Sequence, residues 1–234
     1  MHKKSSIVIS IKRYMRYQFG MVLFLVATYI LLSITIVGKS DFSFRVFRFF
    51  DLDFEMNLPT FFSTTLILIN AFLFYVLWLL KRSDGEPRFV WMFFALFFLF
   101  LSMDEYCSIH EKVGVVFQYL LQVQGRGYFY LTWVVPYGFL VCLIAFYFYR
   151  SWRRLSPLIR MWFAFSVFTY LTGAIGFEIL GEKIARQFGN ADIAYKAVMI
   201  LEESFEMVGQ ILLEYTLLTM IRELYADSVL HFTD

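Results

Sequence analysis

Apolar positions in this chain come in long runs that are seldom interrupted by charge. Six such runs stand out, at about 17–37, 60–80, 89–110, 130–149, 158–181 and 197–221. Runs of about 18 or more residues with few charges read as helices long enough to cross a bilayer. Strands of a membrane barrel would be shorter and would alternate apolar with polar. A helix, by contrast, satisfies its own backbone groups in lipid. The pattern predicts an all-α protein: an integral membrane bundle of about six transmembrane helices. Little chain remains outside the runs, so residues 1–234 are expected to form a single transmembrane helical domain.

Composition agrees. Hydrophobic residues make up 60% of the chain, against about 45–50% in a soluble domain, and the mean hydropathy is +0.64. Lys and Arg set the orientation. Thirteen fall on one side of the spans, in the N-terminal segment, the loops after spans 2 and 4, and the tail. Eight fall on the other. Loops rich in Lys and Arg stay in the cytoplasm, so both the N- and C-termini are expected there. Trp78, Trp91, Trp152 and Trp162 fall near that interface and Trp133 near the outer one, as aromatic belts do. The basic residues are topology signals, and the net charge of +2 points to no nucleic-acid partner. Cys107 and Cys142 are expected at different depths, too far apart for a disulfide. The first span lacks an A-x-A-like cleavage site and reads as uncleaved.

The longer loops, 38–59 and 182–196, both lie on the outer side. Pro59 and Pro157 open spans 2 and 5, as proline does in a first helical turn. A helix from 89 to 124 would be roughly 54 Å long, too long for the hydrocarbon core. Span 3 is therefore expected to end or bend near Gly114, with residues 113–124 along the outer surface and Gly125 and Gly127 in the next turn. There is no internal repeat, and inverted repeats mark many transporters.

Against this apolar background stand twelve carboxylates: Asp51, Asp53, Glu55, Asp104, Glu105, Glu111, Glu178, Glu182, Glu202, Glu203, Glu206 and Glu214. Ionisable groups in or beside membrane spans are costly and mark function by default. Measured from the basic residue at the cytoplasmic end of its span, Asp104 sits roughly 24 Å up, Glu178 roughly 27 Å and Glu206 roughly 24 Å. His110, Glu182 and Glu202 form a second tier at roughly 30 to 33 Å. Three helices thus carry acids at matching heights near the outer face.

Within span 3, Asp104, Cys107, Ser108 and Glu111 share a stripe, flanked by Glu105 and His110. In span 5, Glu178 and Glu182 stack one turn apart, and Gly173 and Gly176 allow close helix approach. In span 6, Glu202, Glu203, Glu206, Gln210 and Glu214 fall in one wedge of roughly 120°. The outer loop adds Asp51, Asp53, Glu55 and Asn57, whose alternation resembles a calcium loop without its central Gly and closing Glu. The alternative for each is structural: solvated helix ends, a small-residue seam, a buried polar seam of neutral acids. Cations near the outer tiers are few: His110, Lys112, Lys183 and Arg186.

A divalent metal is the expected cofactor, held by Asp104, Glu105, His110, Glu111, Glu178, Glu182, Glu202 and Glu206. Oxygen-rich ligands suit Mn, Fe, Ca or Mg, and Zn less well. Glu203 and Glu206 are the candidate catalytic bases, acting on a bound water. The Glu-x-x-His pairs of di-iron bundles are absent. The expected partners are the bilayer and a lipid or lipid-linked substrate at outer headgroup depth.

At these same residues the chain resembles a family of uncharacterised bacterial multi-pass membrane proteins. The resemblance lies in Asp51-Leu52-Asp53 through Pro59-Thr60-Phe61-Phe62-Ser63, in the D-E-x-x-x-x-H-E pattern of Asp104 to Glu111, and in Glu202-Glu203 with Glu206-Met207-Val208-Gly209. It implies a bacterial inner membrane and carries no activity. Three functions stand open: a periplasm-facing metal site in a membrane enzyme or sensor, a cation or proton transporter, and a structural or partner-binding subunit. Span 3 offers no polar group in its cytoplasmic half, which thins the second.

Overall fold

The computed structural model describes residues 10–35, 40–80, 88–120, 122 and 134–225. The described residues form an all-α bundle without strands. In order they are α1 (Ile11–Thr35), α2 (Asp41–Phe50), α3 (Leu58–Leu80), α4 (Phe89–Cys107), α5 (Ile109–Leu120), α6 (Val134–Trp152), α7 (Pro157–Leu171), a π-helical turn (Thr172–Phe177), α8 (Glu178–Phe188) and α9 (Ile193–Tyr225). Among the described residues four stretches are long and apolar enough to cross a membrane: α1, α3, α4 and the continuous Pro157–Phe188. The helices α6 and α9 are not among these four. In α9 the apolar run is broken by Glu202, Glu203, Glu206 and Glu214.

The 33-residue α9 is the central pillar, packed against α1, α3, α7, the π-helical turn and α8. A second tight pair is α3 with α4. Phe74 of α3, fully buried, stacks on Phe94 of α4 at 5.1 Å and lies 6.2 Å from Trp91. Phe148 of α6 closes the cluster, 4.8 Å from Phe94 and 5.1 Å from Phe163 of α7. Also on α6, Tyr147 packs on Phe93 of α4 at 5.4 Å, while more than half of the described α6 side chains are exposed.

Local sequence explains the breaks. Ser156 caps α7 by accepting from the Ile159 N–H, with Pro157 in the first turn. Span 3 breaks earlier than Gly114: Ser108 takes a left-handed φ of 48°, and α5 starts at Ile109. The cause is Asp104, whose Oδ1 accepts from the backbone N–H of His110 at 2.7 Å and so holds the first turn of α5. The outer stretch 38–59 is not all loop either. Ser40 and Ser43 form a reciprocal cap that starts α2, with Phe42, Phe44 and Phe49 exposed on it. Arg45 and Arg48 are exposed on the same helix. Asn57 then ties the chain to α2, its Nδ2 donating to the carbonyls of Arg48 and Asp51. The second outer stretch is helical to Phe188. Trp133, Gly125, Gly127 and the basic residues Lys3, Lys4, Lys39, Lys81, Arg82 and Arg126 lie outside the described residues.

Candidate functional site

Four elements bring acids to one end of the bundle. The C-terminal turn of α4 carries Asp104 and Glu105. The start of α8 carries Glu178 and Glu182, the N-terminal half of α9 carries Glu202, Glu203 and Glu206, and the turn before α3 carries Asp53 and Glu55. All nine line a single cavity of about 780 Å³, together with His110. Among the described residues no Lys or Arg lines it. Glu111 belongs to α5, but its side chain lies outside the described ones.

Small residues let these helices meet. At Gly173 an added Cβ would sit 2.8 Å from the backbone oxygen of Glu202 and 2.9 Å from the backbone nitrogen of Glu206. At Gly209 it would sit 2.7 Å from the backbone nitrogen of Tyr170. Any side chain at either position would push α7 and the π-helical turn away from α9. Gly176 plays no such part, with Thr172 Cγ2 at 3.8 Å as the nearest atom. The π-helical turn begins where Gly173 meets α9, and single-turn π bulges recur at functional sites.

The acids differ in what they do. Asp104 is buried, 5% exposed, and its Oδ1 is shared by three donors: the His110 backbone N–H, the Tyr137 hydroxyl at 3.3 Å and, at 3.5 Å, His110 Nδ1. Its geometry is that of an anchor for the α4–α5 break. Glu105 lies beside Ser63 of α3. Glu182 pairs with Arg186 at 3.5 Å on the exposed rim. Glu203 and Glu206, each close to Glu105, are left facing the cavity as a group of like charges. Asp53 accepts from the Tyr195 hydroxyl at 2.8 Å, which latches the outer turn to the start of α9. Burial, and then the Asp53 charge, push the Tyr195 hydroxyl well above its ordinary value. Burial also raises the Asp51 carboxyl, only partly offset by the Asp53 N–H, Arg48 and Lys196.

Convergence is not coordination. Among the described residues no group of three or more His, Cys, Asp or Glu side chains is arranged to hold a metal ion. Glu214, part of the predicted acidic wedge, leaves the cavity altogether and turns to α1.

The cavity also has an apolar limb, which no acid signalled. From the acidic end it runs between α4, α6 and α7 past Phe97, Leu101, Leu140, Ile144, Ala145, Ala164, Val167 and Phe168 to Tyr149 and Trp152. Along α6, Tyr137 to Trp152 is a rise of roughly 22 Å. The tyrosine hydroxyls of the wall, Tyr137, Tyr149, Tyr170 and Tyr195, were also missed. In a chain with fifteen tyrosines a single one carries no signal. Only Tyr195 could have been found, two turns before Glu202 on the same face of α9.

Residues 21–221 match the family described as Domain of unknown function (DUF8692). The chain belongs to that family. No curated protein and no solved structure matches it.

Proposed function

We propose that this protein is a six-span protein of the bacterial inner membrane, a single domain with both termini in the cytoplasm, whose cavity at outer headgroup depth binds a lipid-like substrate with a cationic head. One observation supports this reading above the others: nine carboxylates and a long apolar limb bound the same cavity, with no Lys or Arg among the described residues of its wall. The volume of about 780 Å³ suits a ligand pocket. An acidic wall favours a positive group, and an apolar limb favours a hydrocarbon chain. In an enzyme acting on such a substrate, Glu203 or Glu206 is the general base, because neither has a described cationic partner and both face the cavity.

The test is binding to the full chain in nanodiscs. Hexadecylamine, which has chain and charge, binds at least about tenfold more tightly than hexadecanol, a difference of about 1.4 kcal/mol. Glu206→Gln removes most of that difference. Equal affinity for amine and alcohol would end the proposal.

A second reading keeps the divalent metal. The crowding of Glu105, Glu203 and Glu206 favours it, since like charges so close are relieved by a cation. Mn, Fe, Ca or Mg would suit these oxygens, with side-chain rotation to bring them together. A lipid with a phosphate head would need that metal to approach this wall. Elemental analysis decides: protein purified without chelator holds about one equivalent of metal in wild type and less in Asp104→Ala and Glu206→Ala. Equal trace metal in all three removes this reading.

A further inference from the structure

Behind the cavity wall, α9 carries a second set of buried polar groups. Gln210 forms part of the wall, and Glu214, one turn further along, lies behind it. Glu214 is fully buried and Gln210 is 3% exposed. Asn70 of α3, also fully buried, donates to Gln210 Oε1 at 2.9 Å and to its backbone oxygen at 3.1 Å. Gln18 of α1 donates to Glu214 Oε2 at 2.6 Å, and the Tyr14 hydroxyl approaches the same carboxyl. Gln210 to Glu214 is a rise of roughly 6 Å along α9, directed away from the cavity. At that end of α1, Lys12, Arg13 and Arg16 are exposed.

A seam built only to specify helix packing would satisfy its own polar atoms. This one does not. Gln18 Oε1, Asn70 Oδ1 and Glu214 Oε1 are all buried without a hydrogen-bond partner. Each is an acceptor, so what the seam lacks is donors. Two things supply them: water, and a proton on the Glu214 carboxyl. No described Lys, Arg or His pairs with Glu214. Of the titratable groups on the elements packed around it, Tyr14 alone interacts with it, and α3 presents the neutral Asn70.

We infer that Glu214 is the proton-exchanging group of a path that joins the acidic cavity, through Gln210, to the end of the bundle where Tyr14 and the basic start of α1 lie. A proton leaves a cavity carboxyl such as Glu206, crosses on water held by the orphaned amide oxygens, and protonates the Glu214 carboxylate. The same proton then passes to water beside Tyr14 and out. No other bond is made or broken. The path requires that the bundle span a membrane and is independent of which ligand the cavity takes.

The test uses the full chain in liposomes loaded with a pH-sensitive dye, with a potassium diffusion potential driving protons. Wild type is expected to conduct protons well above protein-free vesicles, and Glu214→Gln to return to the protein-free rate. Wild type no faster than protein-free vesicles, or Glu214→Gln as fast as wild type, would overturn the inference. Infrared difference spectra after a pH step cover the case in which Glu214→Gln fails to fold. Wild type should show a protonated-carboxyl band that shifts in Gln18→Leu, where the bond to Oε2 is gone. A wild type without such a band, or a band unmoved in Gln18→Leu, would also overturn it.

Discussion

The two ends of the bundle are built on opposite principles. At the end away from the acids, Phe74, Trp91, Phe94, Phe148 and Phe163 pack ring on ring, with Phe94, Phe148 and Phe163 also walling the uncharged limb of the cavity. At the outer end, the same α4, α7 and α9 hold a cavity of about 780 Å³ and crowd acids onto its wall. Filled space gives stability, whereas unfilled space lined by like charges costs it. An arrangement that costs stability persists where it does something. On the function proposed above, the aromatic end is scaffold and the acidic end is site.

Variants at each end should therefore separate stability from binding. The largest effect is expected from Phe74→Ala: a fully buried ring is lost from the aromatic stack, and unfolding in detergent should become easier by about 3–5 kcal/mol. Hexadecylamine affinity of the remaining folded protein should hold within twofold, about 0.4 kcal/mol. A large drop in affinity would merge the two ends into one unit. Next is the hinge between them. Gly209→Ala forces a methyl against the Tyr170 backbone and should cost about 1–3 kcal/mol while also weakening binding, because α7 and α9 both form the wall. Gly138→Ala, where the added Cβ meets nothing within 4 Å, is the neutral control.

Glu203→Gln and Glu206→Gln should reverse the pattern. Each relieves like-charge repulsion, so stability is unchanged or slightly higher while amine binding falls by about tenfold. A thermal midpoint and a binding isotherm on the same sample check this. The smallest effect is at Asp51. Its carboxyl is raised above 3.8 in the fold, so the folded state holds that proton more tightly than the unfolded chain. Its contribution is therefore most favourable at low pH and declines as pH rises past 3.8. Asp51→Asn should flatten that decline, since the amide oxygen still accepts from the Asp53 N–H. A steeper decline in the variant would reverse the sign assigned here.

The helices were legible because a membrane helix is written in consecutive residues, and α1, α3, α4 and α7 lie where apolar runs fall. The depth of the acids was legible too, since helical rise converts position into height. Partners across helices were not. Helical phase placed Glu214 with Glu203 and Gln210, yet Gln18, 196 residues away in sequence, draws it to α1. Asp104 has a structural part that residue type did not signal: it caps the break after α4 at Ser108, ahead of Gly114. The apolar limb left no mark at all, because a Phe lining a groove and a Phe facing lipid read alike.

The central claim is that one molecule occupies both the acidic end and the apolar limb. A double-mutant cycle tests it with Glu206→Gln at one end and Ala164→Trp, which plugs the limb, at the other. Hexadecylamine should lose affinity with either change, methylamine only with Glu206→Gln, and hexadecanol only with Ala164→Trp. Hexadecylamine binding indifferent to Ala164→Trp while still sensitive to Glu206→Gln would contradict the account.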